Sequence, residues 1–246
     1  MSMKKYLIAS ALLLAGCQQA AQTHYILYLE KEDGVDPFQT RVIVSKDFIR
    51  YDDGEGSDSF VLLDRKSKKI YSVNHGNQTV MILEEKHSPA TPPFELKYSV
   101  KTVDDMAKAP MINDKKPVHY QLLTNDQVCV DVVSVEGLMP DAVQAFKEFQ
   151  MVLASDSATT VNNLPADLQD PCVLSMSTFA PTRHLEYGLP IQEWKPGYSR
   201  SLMDYKVSYE AAADTFVVPK DYFTYTVQDF REGKVDVGNR KHLDVQ

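Results

Sequence analysis

From Tyr25 to Leu83 the chain is cut into short apolar runs, each closed within a few residues by a polar turn, and few folds tolerate that rhythm. Tyr25 to Leu29, Arg41 to Ser45, Phe48 to Tyr51, Phe60 to Leu63, Ile70 to Val73 and Thr79 to Leu83 are strand-length, and too short for core helices. The segments between them carry turn chemistry: residues 52–58 (DDGEGSD), Asp64-Arg65-Lys66-Ser67-Lys68-Lys69 and Asn74-His75-Gly76-Asn77. Consecutive strands joined by tight turns pair as antiparallel neighbours, so a meander is expected.

Later segments extend the pattern. Phe94, Leu96, Tyr98 and Val100 alternate with Glu95, Lys97, Ser99 and Lys101, which predicts a strand buried on one side. Met203, Tyr205, Val207 and Tyr209 alternate in the same way with Asp204, Lys206, Ser208 and Glu210. Val118 to Leu123 and Gln127 to Val135 are joined through Thr124-Asn125-Asp126, a hairpin connection. One helix is predicted from about Pro140 to Ala154. Proline fits the first turn, and Ala142, Phe146, Phe149 and Leu153 fall on one face that can cover an apolar sheet. Residues 155–171 and Glu84 to Pro93 read as loops, and residues 231–246 as a charged, frayed tail. The expected fold class is α+β and β-rich: about ten antiparallel strands in one curved sheet, with one main helix packed on its face.

The first residues read as a processing segment. Lys4 and Lys5 precede the apolar run Tyr6 to Gly16, whose eleven residues fall short of the roughly 20 a spanning helix needs. The run ends in Leu14-Ala15-Gly16-Cys17, which resembles the lipobox of bacterial lipoproteins. The resemblance implies removal of residues 1–16, diacylglycerol on the Cys17 thiol and acylation of the new N-terminus. That lipid would anchor the chain to a membrane. Gln18 in place of Asp implies the periplasm-facing outer membrane. Residues 17–23 then form a short flexible tether. The other reading is an ordinary secretory signal with a chance cysteine.

Export changes the charge and cysteine arithmetic. The full chain carries −8, and loss of Lys4 and Lys5 leaves 24 basic against 34 acidic residues, or −10. So acidic a chain is a poor ligand for nucleic acid or anionic headgroups, which leaves membrane attachment to the acyl chains. With Cys17 committed to lipid, Cys129 and Cys172 remain as an even pair. In an exported protein such a pair suggests a disulfide, with two buried free thiols as the alternative.

The sequence holds no G-x-S-x-G, H-E-x-x-H, P-loop or G-x-G-x-x-G, and its single S-x-x-K, Ser2 to Lys5, lies in the leader. Histidines 24, 75, 87, 119, 184 and 242 show no ligand spacing and read as surface or strand residues. The acidic run Asp52, Asp53, Glu55 and Asp58 fails the calcium-loop register, because Asp58 stands where the glycine belongs; it reads as a turn with solvated charges. Aromatic residues recur on the apolar faces. Phe146, Phe149 and the single tryptophan, Trp194, are candidate contacts for an apolar ligand between helix and sheet, the alternative being a filled core.

The phrase from Phe60 to Val73 resembles the apolar strand, charged turn and tyrosine strand of the LolA/LolB-like superfamily. Gly188-Leu-Pro-Ile, Trp194 and Phe216 to Tyr222 resemble the closing strands of uncharacterised lipoproteins with that fold. The resemblance implies an open half-barrel over residues 24–230, with helices lidding its apolar concave side, and a cargo such as a lipoprotein acyl chain. The expected function is non-enzymatic, without a cofactor: an outer-membrane lipoprotein binding an apolar ligand or an envelope partner. The alternatives are a structural or assembly lipoprotein with a filled core, and a hydrolase with a composite site.

Overall fold

The computed structural model describes residues 23–57, 59–86, 90–161, 165 and 169–243. The leader, Cys17 and tether residues 18–22 lie outside them, as do Asp58 and His87. The meander forms as six strands: β1 (Thr23–Glu32), β2 (Phe38–Val44), β3 (Phe48–Asp52), β4 (Ser59–Asp64), β5 (Lys69–Asn74) and β6 (Thr79–Glu84). A second antiparallel series follows: β7 (Tyr98–Val103), β8 (Val118–Thr124) and β9 (Gln127–Val135). After helices α1 (Pro140–Ser157) and α2 (Pro171–Leu174) come β10 (Leu189–Lys195) and β11 (Tyr198–Tyr209). The chain ends in β12 (Phe223–Thr226), α3 (Val227–Arg231) and the hairpin β13 (Val235–Asp236) with β14 (Lys241–His242).

Strand β11 runs between β1 and β10 and joins the two series into one twelve-stranded sheet, in the order β12-β6-β5-β4-β3-β2-β1-β11-β10-β9-β8-β7. Every pairing in it is antiparallel except the parallel one of β12 with β6. Strands β12 and β7 are the two edges, so the sheet is open.

Why β4 reads as an unbroken apolar run is clear from its two faces. Leu63 packs toward α1 with Ile26, Tyr28, Val42, Ile49, Ile70 and Phe146. Phe60 and Leu62 face the other way, with Val73 and Val80, under Phe216, Val218 and Tyr222. Residues 210–222 therefore form a strap over the outer face, and a strand covered on both sides needs no polar face. The stretch Phe216 to Tyr222, read from its resemblance as a closing strand, is this strap and has no ladder partner.

Helix α1 extends three residues past the expected Ala154, to Ser157. Ala142 and Phe146 are buried as expected, but Val152 takes the core position and Leu153 faces out. Asn125 and Asp126 both adopt left-handed backbone, so β8 and β9 close through a two-residue turn whose twist matches the strands. Gly188, at φ 112°, leads into β10, where an added Cβ would lie 2.3 Å from the Val135 carbonyl oxygen.

Two alternations fail. Strand β7 begins only at Tyr98 and is an edge, so its apolar face lies in solvent, with Val100 43 % exposed. In β11 the register slips against Leu27/Tyr28 and again against Thr23/Tyr25. These bulges leave Met203 exposed and turn Tyr209 to the same side as Lys206, where its ring meets Tyr25. Residues 231–243, expected as a frayed tail, are charged and mostly exposed but ordered by contacts. Arg231 grips Asp156 with both terminal nitrogens, at 2.9 and 2.6 Å, and Leu243 N–H donates to Lys234.

Candidate functional site

Cys129 and Cys172 form a disulfide, their Cα atoms 5.0 Å apart. Local backbone prepares the bridge on both sides. In β9 the register slips between Leu122 and Leu123, leaving Cys129 as the extra residue of a bulge and turning it out of the ladder. On the other side, Asp170 caps α2 by accepting from the N–H groups of Cys172 and Val173, and Pro171 opens the first turn. A π-helical turn, Ser175–Phe179, continues from α2, and the buried Ser175 hydroxyl meets Thr124 Oγ1 at 2.9 Å. Arg183 locks the same corner by donating to the carbonyls of Ser99 and Leu123. This helical stretch from 171 onward was expected to begin as loop; the Asp-Pro pair before Cys172 is the signal that could have revealed it.

The bridge walls an open groove of about 510 Å³. Val128, Val173, Met176, Pro196 and the disulfide supply its apolar surface, while Gln127, Asp170, Ser177 and Lys195 rim it. A second hollow of about 350 Å³ shares Val128, Cys129, Lys195 and Pro196 and adds Trp194. Val173 in the groove and Trp194 in the second hollow are 53 % and 36 % exposed, so apolar side chains stand in solvent in both.

The three residues expected to contact an apolar ligand do not meet. Phe146 and Phe149 pack on the Tyr51 ring, at centroid distances of 6.2 and 4.7 Å, inside the α1 core. Neither lines the groove at the disulfide or the hollow beside it. Trp194 faces the opposite side of the sheet, since its neighbour Glu193 pairs with Arg200, whose guanidinium lies over Tyr28 of the α1 core. The Trp194 ring instead lies against His119, centroids 5.0 Å apart.

Two polar clusters escaped sequence reasoning, because their members are distant in the chain. His119, expected at the surface or in a strand, is a buried β8 residue. Its Nδ1 meets Asp105 and its Nε2 meets Asp131, each at 2.9 Å, while Gln121 donates to Asp131. No hydroxyl or thiol joins this chain among the described residues. The second cluster lies under α1. Strand register sets Arg200 between Glu30 and Glu193, and Tyr198 donates to Glu30. Burial opposes ionisation of Glu193, but Arg200 beside it outweighs that and holds the carboxyl below the usual carboxylate range. Burial pushes the Tyr28 hydroxyl up to about 12 and the enclosed His184 imidazole down to about 4.

The acidic turn also departs from expectation. Asp52 is fully enclosed instead of solvated, gripped by Arg41 at 2.7 Å and Arg50 at 2.6 Å. Burial raises the cost of its charge, and the two guanidiniums more than offset it, leaving its pKa lowered. Arg50 also lies over the Phe60 ring and donates to Thr215 of the strap. Asp52 is therefore a structural lynchpin between sheet and strap. Among the described residues no group of three His, Cys, Asp or Glu side chains is placed to hold a metal, and no helix is long and apolar enough to cross a membrane.

No protein-family model matches the chain, and no curated protein matches it. Among solved structures, an uncharacterised conserved protein from Thermus thermophilus aligns over 84 % of this chain and 91 % of its own, at 8 % identity and TM-score 0.40. PNGF-II aligns in two crystal forms, P21 and C2, at 12 % identity and TM-scores of 0.42 and 0.39. Those alignments cover 87 % and 86 % of this chain but only 33 % and 32 % of PNGF-II. Likenesses this distant transfer no activity, and what the molecule offers on its own terms is an α+β protein with an open, strand-rich sheet, one dominant helix and an apolar groove at a disulfide.

Proposed function

We propose that the chain is a non-enzymatic outer-membrane lipoprotein, fastened through Cys17 and facing the periplasm. In this reading it holds an apolar segment of an envelope protein in the groove beside Cys129–Cys172. The observation that carries the reading is where apolar surface is left over. Phe146 and Phe149 are consumed in the core, whereas Val128, Val173 and Met176 line an open groove with a polar rim, and Trp194 lines the hollow beside it. A groove open along one side, with Gln127, Asp170 and Lys195 at its edge, suits an amphipathic polypeptide better than a bare acyl chain, which calls for enclosure. The Cys129–Cys172 bridge fits an oxidising compartment, in keeping with export.

The test is a photo-crosslinking amino acid at Val173 in the lipidated protein, expressed in its own cells. One envelope protein should be captured there, and lost when Met176→Glu is added to a protein whose disulfide is intact by mass. Uptake of a fluorescent fatty acid by the delipidated protein, abolished by Met176→Glu, would favour a lipid ligand instead. Capture unchanged by Met176→Glu, with no fatty acid taken up, would remove the groove from the function.

A further inference from the structure

We infer that the molecule stands on its bilayer by the end of the sheet at which Thr23 lies, with the disulfide groove at the opposite end, aimed away from that bilayer. The inference rests on the Cys17 anchor and adds what the anchor alone does not give, an orientation.

Strand register fixes the two ends. Thr23 opens β1 and its hydroxyl is hydrogen-bonded to the Tyr209 carbonyl. Glu32, at the far end of β1, pairs with Tyr198, which pairs in turn with Lys195 of the groove rim. The N–H of Asp33 donates to Gly197, beside Pro196 of the same groove. The ten residues of β1 separate the two ends by about 30 Å along the strand. Only six residue steps link Cys17 to Thr23, a reach of at most about 20 Å. A lipidated Cys17 thus keeps the Thr23 end close to the headgroups, while the groove lies a strand length further out.

Both ends carry exposed charge. The turns after β2 and β4 lie at the Thr23 end, because His24 pairs with Val44, Val44 with Ile49 and Phe48 with Asp64. They present Lys46 and Lys66 to solvent. Asp141 and Glu148 nearby are matched by Arg65, and Glu84 by Lys69, while Asp47 stands exposed beside Lys46. The turn after β1, at the other end, exposes Glu32, Asp33 and Asp36. The end nearer the anchor thus carries exposed lysines as well as carboxylates. Lys46 and Lys66 are the groups that an anionic headgroup layer would attract there.

Trp194 makes the orientation measurable, since it is the single tryptophan and lines the hollow beside the groove at the distal end. Lipidated protein is reconstituted into vesicles of phosphatidylethanolamine and phosphatidylglycerol carrying a headgroup spin-label quencher. Trp194 emission should be as bright as in vesicles without the labelled lipid. A Trp194→Phe, Ser67→Trp protein, whose reporter lies in the exposed turn beside Lys66, should be quenched several-fold. Adding Lys46→Glu and Lys66→Glu should weaken that quenching. Quenching of Trp194 equal to or greater than that of the reporter at 67 overturns the orientation. Should the substituted protein fail to fold, the native protein decides alone: Trp194 shielded from aqueous acrylamide by vesicle attachment overturns the inference, and unchanged access supports it. Failure of the unsubstituted protein to float with vesicles, and indifference of flotation to Cys17→Ser, would instead sink the anchor itself.

Discussion

The two halves of the sheet are held together by different physics. Strands β1–β6 pack toward α1 on one face, the 210–222 strap covers β3–β6 on the other, and most of their apolar side chains are enclosed. Strands β7–β9 bury a smaller cluster, Leu122, Val130 and Val132 against Met176 and Tyr187, and end in an exposed edge. What the second half lacks in burial it gains in cross-links: the Cys129–Cys172 bridge, the Arg183 clamp and the Asp105–His119–Asp131 chain. Apolar area stabilises without direction, so it suits a uniform core. A corner that must keep apolar groups in solvent needs directional or covalent bonds instead. The groove lies in the cross-linked half, where its walls are tied by these bonds.

Cutting the bridge should have the largest effect. Closing a 43-residue separation is worth about 4 kcal/mol in the chain-entropy model, so Cys129→Ser with Cys172→Ser should lower stability by that order in urea titrations. Hydrogen exchange should speed up first in β7–β9. Equal loss of protection in β1–β6 would show that the halves are not mechanically distinct. Next comes Leu62→Ala, under the strap, which should cost about 3 kcal/mol, while Val100→Thr on the exposed edge should stay within about 0.5 kcal/mol. Comparable losses at the two positions would mean that β7 is covered in solution.

The smallest effect expected is on pH. His184 is held at about 4 against an ordinary 6.5, so the unfolded chain takes up its proton first and stability falls as pH drops through that window. Between pH 7 and pH 5.5 the loss should be about 1 kcal/mol, and His184→Gln should flatten it. Asp52 and Glu193 have lowered pKa values, so their contribution is present above the ordinary carboxylate range and is lost only in stronger acid, as pH falls through the folded values. A melting temperature flat from pH 7 to 5.5 in the unsubstituted protein would mean that His184 is not enclosed.

Local chemistry was legible in the chain. Short apolar runs with Gly, Asn and Asp between them fixed the meander, the Asn125-Asp126 pair its hairpin turn, Pro140 and the apolar face after it the helix, and an even cysteine pair the bridge. The backbone features among these are decided within a few residues by sterics and so can be read without knowing the neighbours; the bridge was legible only as a pairing of the two cysteines outside the leader. The apolar alternation at Tyr98 and Val100 gave no hint that nothing would cover it, because alternation records which side chains share a face and not what lies opposite. Only the tertiary structure decided that Phe146 would fill a core and Trp194 face away from it, that two bulges would turn Tyr209 over, and that His119 would find carboxylates at 105 and 131. Those outcomes depend on which strands become neighbours, and the energy that chooses neighbours is summed over the whole sheet and not written at any one residue.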